Sequence, residues 1–277
     1  MNYNLKNIFM DKLEKCTKNY NNIAVAISSG IDSHCILFGL LELNKKITAY
    51  NFRVKNNNSQ DYIYAKENCK SFNIKFVDCK IPTKVNKEIL FDIIYKYKRI
   101  KKTDIECIYP FYYLLPNVKE KILLTGVCAD GYFGISKKAM IHYKGSLNKL
   151  NKFRKDYFSN TDFNLDKPLS YIAEDKYQIK IKSPFIDSKM LEYFLDKDWD
   201  SCNKPKQKQL FLDMFPDEFK KIKIFKHTNL QCGDSKIREL FMPLLNEKIN
   251  IKKRIRVMDL YRDLYNNYFN NQISIGG

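Results

Sequence analysis

No two of the eight cysteines are spaced as Cys-x-x-Cys, which argues against a structural zinc site or an iron–sulfur cluster. No positively charged leader followed by a short apolar stretch opens the chain, and no apolar run approaches membrane-spanning length. The expectation is therefore a cytoplasmic protein with no membrane partner. Its cysteines (Cys16, Cys35, Cys69, Cys79, Cys107, Cys128, Cys202 and Cys232) should be reduced and mostly buried. The three histidines, His34, His142 and His227, share no spacing. There is no Gly-x-Ser-x-Gly turn and no Ser/His/Asp hydrolase pattern. The chain also lacks internal repeats and long linkers.

What is present is enough for a folded α/β protein. The 277 residues suit one large domain, or a domain with a helical appendage. Hydrophobic residues make up 44% and aromatics 14%, which excludes a disordered chain. Formal net charge is +18. Such a surface suits an anionic partner such as nucleotide, polyphosphate or nucleic acid. The lysines are spread along the chain rather than blocked, so much of this charge reads as compositional bias and solubility.

Apolar periodicity gives the order of elements. Residues 2–20 place Leu5, Ile8, Phe9 and Leu13 on one helical face. Ile23-Ala24-Val25-Ala26-Ile27 is a short continuous apolar run, as in a strand buried on both faces. Ile36, Leu37, Leu40, Leu41 and Leu43 mark a helix, Ile47–Val54 a strand, 59–73 a helix and Ile74–Val77 a strand. This alternation predicts a parallel sheet with crossover helices. Residues 83–101 and 105–119 read as helices, the second interrupted near Pro110 and Pro116. Ile122–Thr125 reads as a further buried strand. Beyond about residue 135 the pattern becomes helices and loops, with helices predicted after Pro184 and over 204–215, 235–249 and 256–269.

The segment Ser28-Ser29-Gly30-Ile31-Asp32-Ser33 lies directly after the first buried strand and before a helix. Small residues there let backbone N–H groups approach a phosphate, and the helix N-terminus adds partial positive charge. Ser28 and Ser33 can donate hydroxyl hydrogen bonds. A carboxylate in that position repels phosphate unless a cation intervenes, so Asp32 is a candidate magnesium ligand. The alternative is an ordinary strand-to-helix turn in which Ser28 or Asp32 only caps the helix. No lysine follows Gly30, which excludes a P-loop of the G-x-x-x-x-G-K-[ST] kind.

Ser28–Ser33 resembles the S-G-G-x-D-S pyrophosphate loop of the N-type ATP pyrophosphatases, the PP-loop superfamily. Leu124–Gly134 resembles the L-S-G-x-G-x-D-E-x-F-G-G segment of its asparagine synthetase-like members. Lys182-Ser183-Pro184-Phe185-Ile186-Asp187 is similar to their R-x-P-F-L-D. Phe215-Pro216 followed by Lys223, Lys226 and Gly233 is similar to their L-P segment and lysine-rich loop. The four matches occur in the family's order over roughly residues 20–245.

The resemblance implies a parallel twisted sheet with helices on both faces, of the adenine nucleotide alpha hydrolase-like kind, plus a mainly helical C-terminal portion. It implies a nucleotide-binding core over 1–135 and a helical part over 136–277 that completes the site of one synthetase domain, without the glutaminase domain of asparagine synthetases. The cofactors implied are ATP and Mg2+. Ser28, Ser29, Gly30, Asp32 and Ser33 would hold pyrophosphate, with Asn51, Phe52, Thr125 and Gly126 against the nucleotide. Asp32 and Asp130 would share magnesium, and Lys226 or Lys223, together with Asp187, would serve catalysis. The reaction implied is an AMP-forming ligation. A carboxylate or amide oxygen of a small-molecule, peptide or nucleotide acceptor is adenylated, pyrophosphate leaves, and ammonia or an amine attacks. The nitrogen would come free or from a separate glutaminase.

Three departures from the pattern qualify this. Ser29 stands where the pattern has glycine, and its Cβ narrows the loop and disfavours a positive φ. Val127 stands where asparagine synthetases have a glutamate that contacts the amino acid, and Gly131 replaces the next glutamate. Valine does not recognise an ammonium group, which argues against aspartate as substrate. A tRNA- or nucleobase-modifying PP-loop enzyme, and a degenerate, non-catalytic nucleotide-binding protein, are the alternatives.

Overall fold

The structure is a computed structural model that describes residues 4–135, 137–159, 166–225, 234–246 and 257–273. Five strands form one sheet: β1 (Asn22–Ala26), β2 (Lys46–Val54), β3 (Lys75–Ile81), β4 (Ile122–Leu124) and β5 (Lys180–Lys182). Their order is β3-β2-β1-β4-β5, and all four pairings are parallel. The chain runs outward from β1 through β2 to β3, then returns to lay β4 on the other side of β1. A parallel sheet opens its ligand crevice at such a reversal, beyond the carboxyl ends of the two strands. Here those ends are Ala26 and Leu124.

Helices cover both faces, as the two-sided burial of the strands demands. Successive side chains of a strand point to opposite faces, and the cores divide accordingly. Ile23, Val25, Ile122 and Leu124 pack on one side, with α1 (Leu5–Thr17) and α2 (Ile31–Glu42). Ala24 and Leu123 pack on the other, with helices α4 (Lys102–Ile108) and α5 (Phe111–Leu114). Between these groups in the chain, α3 (Gln60–Ser71) crosses from β2 to β3. The helices α1 and α2 meet closely at Gly39, where a Cβ would stand 2.5 Å from Leu13.

The part after residue 135 is mainly helical, including α6 (Leu147–Ser159), α7 (Asp166–Tyr177) and α8 (Ser188–Leu195). It also returns β5 to the sheet, which the sequence pattern did not predict: Lys-Ile-Lys has a single apolar residue to signal a strand. Residues 83–101 are not one helix. A short α-helix, Lys87–Phe91, passes into a π-helical turn, Asp92–Lys96. Residues 204–215 are broken too, because Lys208 takes a left-handed backbone (φ 61°) before the helix Gln209–Leu212.

Candidate active site

The turn after β1 is held by its own hydroxyls. The Ser28 amide donates to Ser33 Oγ at 3.2 Å, and Gly30 N donates to Ser28 Oγ at 3.1 Å. Ser33 Oγ donates back to Ser28 O at 3.0 Å. Gly30 caps α2 by backbone geometry, with no side-chain cap on the first turn, so amide donors there stay directed beyond the helix end. Ser29 has no positive φ. Its side chain is buried and turned to Asp61, so the Cβ expected to narrow the loop points away from it.

The turn after β4 lies directly against this loop. A Cβ on Gly126 would stand 3.0 Å from Asp32 Cβ and 3.5 Å from Ser33 N. The absence of a side chain is what lets the two turns converge. The second turn is fixed from outside. Ser183 Oγ donates to Val127 O at 2.6 Å, and the buried Arg154 of α6 donates to Tyr132 O at 2.8 Å. One turn further along α6, Tyr157 packs over Gly131, where a Cβ would meet its ring at 2.3 Å.

Asp32 and Asp130 meet at a single ammonium. Lys208 Nζ is 2.5 Å from Asp32 Oδ2 and 2.5 Å from Asp130 Oδ1. Lys208 is 2% exposed, and its amide is held by Asn203 Oδ1 at 3.1 Å. Burial opposes its charge, but Asp130 and Asp32 outweigh that and hold its pKa above the ordinary lysine value. Burial pushes the Asp32 carboxyl up to about 6; Lys208 pulls it down and Asp130 adds to the rise. Among the described residues, the buried Asp32 Oδ1 has no hydrogen-bond partner.

These groups line one cavity of about 750 Å³, within the size range of cofactor sites. Its wall includes Ser28, Gly30, Asp32, Ser33, Asn51, Phe52, Thr125, Gly126 and Asp130. Among the described residues, Thr125 Oγ1 is buried without a partner. So is Asn51 Oδ1, whose amide nitrogen is fixed by Ile27 O at 2.7 Å. Phe52 meets Phe111 edge-on at 5.9 Å.

Two predicted site residues stand elsewhere, and a third is not among the described residues. Asp187 caps α8, accepting from Lys189 N and Met190 N at 2.9 and 3.2 Å. Lys223 is exposed and pairs with Glu67 at 3.0 Å. Lys226 lies outside the described residues, as does His227. Sequence reasoning missed Lys208, Tyr157, Asp61 and Asp234, all on the cavity wall. Nothing in Lys-Pro-Lys-Gln-Lys distinguishes Lys208 from Lys204 or Lys206.

His34 is fully buried and braces the loop. Asn68 is oriented by the Lys223 backbone, so it presents its amide nitrogen to His34 Nε2 at 3.1 Å. Nδ1 then carries the proton and donates to Gly30 O at 2.9 Å. The ring is thus neutral, and burial lowers its pKa to about 4. Between pH 4 and 6.5 the unfolded chain binds the extra proton and the folded one does not. Stability should therefore fall with acidification through that window, by up to about 3 kcal/mol from this group. Urea unfolding against pH measures it. A His34→Gln variant, able to keep both hydrogen bonds, should lose this part of the slope.

The pattern of the asparagine synthase family matches residues 4–177, well over half of the chain. The chain belongs to the asparagine synthase family. The family places it among ATP-using PP-loop proteins. No curated protein matches the sequence. Solved structures similar to it include an NMN synthetase from Francisella tularensis, at 17% identity over 82% of this chain and 98% of that one, TM-score 0.37. A U34-tRNA thiolase from Methanococcus maripaludis is 13% identical over 95% and 79%, TM-score 0.37. A predicted subunit of tRNA methyltransferase from Methanocaldococcus jannaschii is 15% identical over 63% and 75%, TM-score 0.36. Among the described residues of this family member, no helix is long and apolar enough to cross a membrane.

Proposed function

We propose that this protein is an AMP-forming ligase: it adenylates a carboxylate or amide oxygen with ATP, releases pyrophosphate, and passes the activated carbon to ammonia or an amine. The observation that carries this is the convergence of Asp32, Asp130 and Lys208 beside an uncapped helix N-terminus. Residues 1–135 would supply the nucleotide core and 136–277 would complete the site within one synthetase domain. The placing of β5 in the sheet supports that single unit.

The roles follow from charge. Ser28, Gly30 and Ser33 would orient the β- and γ-phosphates with backbone and hydroxyl donors. Lys208 would neutralise charge that builds on departing pyrophosphate, the main way a protein assists such chemistry. Asn51, Phe52 and Thr125 would take the nucleoside, and the buried Asn51 Oδ1 and Thr125 Oγ1, without partners among the described residues, suit hydrogen bonds to a ligand. Two carboxylates, one with a buried unpartnered oxygen, fit a magnesium ion held jointly by protein and phosphates. When bound, that ion neutralises phosphate charge, and Asp32 and Asp130 would hold it. Val127, on the cavity wall, stands where a glutamate would recognise the amino acid ammonium, which argues against aspartate as the acceptor.

The test is ATP–pyrophosphate exchange over a panel of carboxylic acids and amides. Exchange stimulated by one class of acid, and not by aspartate, is expected. Absence of exchange with every member, despite ATP binding, would favour a non-catalytic nucleotide-binding protein. The +18 charge motivates one further arm. Filter binding to tRNA over a salt series removes the tRNA-modifying reading if no affinity appears at low salt.

A further inference from the structure

The cavity wall carries an aspartate that neither the phosphate loop nor the magnesium pair accounts for. Asp61, in the first turn of α3, accepts two hydrogen bonds on one oxygen from the same residue. Ser29 N donates to Asp61 Oδ1 at 2.9 Å and Ser29 Oγ donates to it at 2.7 Å. Ser29 is 0% exposed, so water cannot substitute for these bonds. Ser29 Oγ in turn accepts from Phe225 N at 3.3 Å.

Asp61 is itself held from the far side. Asp234 Oδ2 accepts from Gln60 N at 2.6 Å and from Asp61 N at 3.3 Å, while Asn57 Nδ2 donates to Asp234 O at 2.7 Å. Four separate stretches of chain are thereby joined: the pyrophosphate loop, the start of α3, Phe225 and Asp234. The last two flank residues 226–233. A turn that must present amides to a polyanion is only as well placed as its anchors. Positioning errors of about 1 Å cost a site much of its effect. Ser28 and Ser33 are anchored within the loop. Ser29 ties the loop to the start of α3, as Asp32 ties it to Lys208 and His34 ties Gly30 to Asn68, and Asp61 is the anchor of Ser29.

We infer that Asp61 is a positioning residue for ATP: it sets the pyrophosphate loop through Ser29 and aligns that loop with the chain on both sides of residues 226–233. In this role its carboxylate acts through Ser29 and not on the reacting atoms. This inference rests on the proposed reading that the loop holds the phosphates of ATP.

Two variants separate positioning from other uses of a carboxylate. Asp61→Ala removes the acceptor altogether. Asp61→Asn keeps a carbonyl oxygen for the two Ser29 donors and discards the charge. Binding of a fluorescent ATP analogue with magnesium would be measured at a temperature where circular dichroism shows each variant folded, followed by exchange kinetics. Asp61→Ala should raise the dissociation constant and the KM for ATP at least tenfold, with kcat within threefold. Asp61→Asn should recover most of that affinity. Wild-type affinity in Asp61→Ala would overturn the inference. So would an Asp61→Asn variant as impaired as the alanine one, since the charge, not the anchor, would then matter. Failure of the wild-type protein to bind the analogue would instead remove the ATP reading itself.

Discussion

Asp32→Ala is expected to lower ATP–pyrophosphate exchange by about 10²- to 10³-fold or more, the range seen when one preorganised electrostatic group is removed from a reacting centre. Asp32 stands at the start of α2, where the two turns touch, and its buried Oδ1 has no partner among the described residues. In the proposed site that oxygen faces the metal and phosphates. The fold should survive, because Lys208 keeps Asp130 as counter-charge at 2.5 Å. Circular dichroism and exchange measured side by side therefore separate loss of chemistry from loss of structure. Exchange at wild-type rate in Asp32→Ala would refute the assignment of this cavity.

The second large effect belongs to Lys208. Lys208→Met keeps an apolar stem of similar length and deletes the charge. Asp32 is then left buried with Asp130 beside it and without its Lys208 counter-charge. Breaking a buried ion pair from one side costs about 3–5 kcal/mol, so urea unfolding should show a loss of that order near neutral pH. The loss should shrink on acidification. The Asp32 carboxyl is already raised to about 6 by burial with Lys208 in place. Without that ammonium it rises further, and once protonated it no longer needs a counter-charge. Added magnesium should recover part of the stability at neutral pH by standing in for the lost cation, while exchange stays strongly reduced. A Lys208→Met protein as stable as wild type at pH 8 would show that the ammonium is not the counter-charge of this pair.

The contrast between Lys208 and Asp32 marks what sequence can carry. Asp32 was legible because local order alone places it: buried strand, small residues, helix start. Gly126 and Asp130, after β4, were singled out only by the resemblance of Leu124–Gly134 to the asparagine synthetase-like segment. Lys208 was not, because its importance depends on a left-handed backbone after Asn203 and on a 176-residue separation from Asp32. Asp61 and Asp234 are long-range partners of the same kind. Asp187 illustrates the reverse: a motif match marks it, yet its carboxylate caps a helix away from the cavity. In the fold, β1 and β4 announced themselves as apolar runs, and β2 as a longer stretch of mostly apolar residues among polar ones. The strand β5 gave no signal because pairing with β4, not its own composition, makes it a strand. Ser29 looked like an obstacle to the loop only while its direction was unknown.

The most direct measurement is a crystal structure with Mg2+ and α,β-methylene ATP, which binds without releasing pyrophosphate. The terminal phosphates are expected at Ser28, Gly30 and Ser33, with a metal ion held by the Asp32 and Asp130 carboxylates and the Lys208 ammonium against a phosphate oxygen. Nucleotide bound in another cleft, or phosphates turned away from both aspartates, would contradict the proposed site.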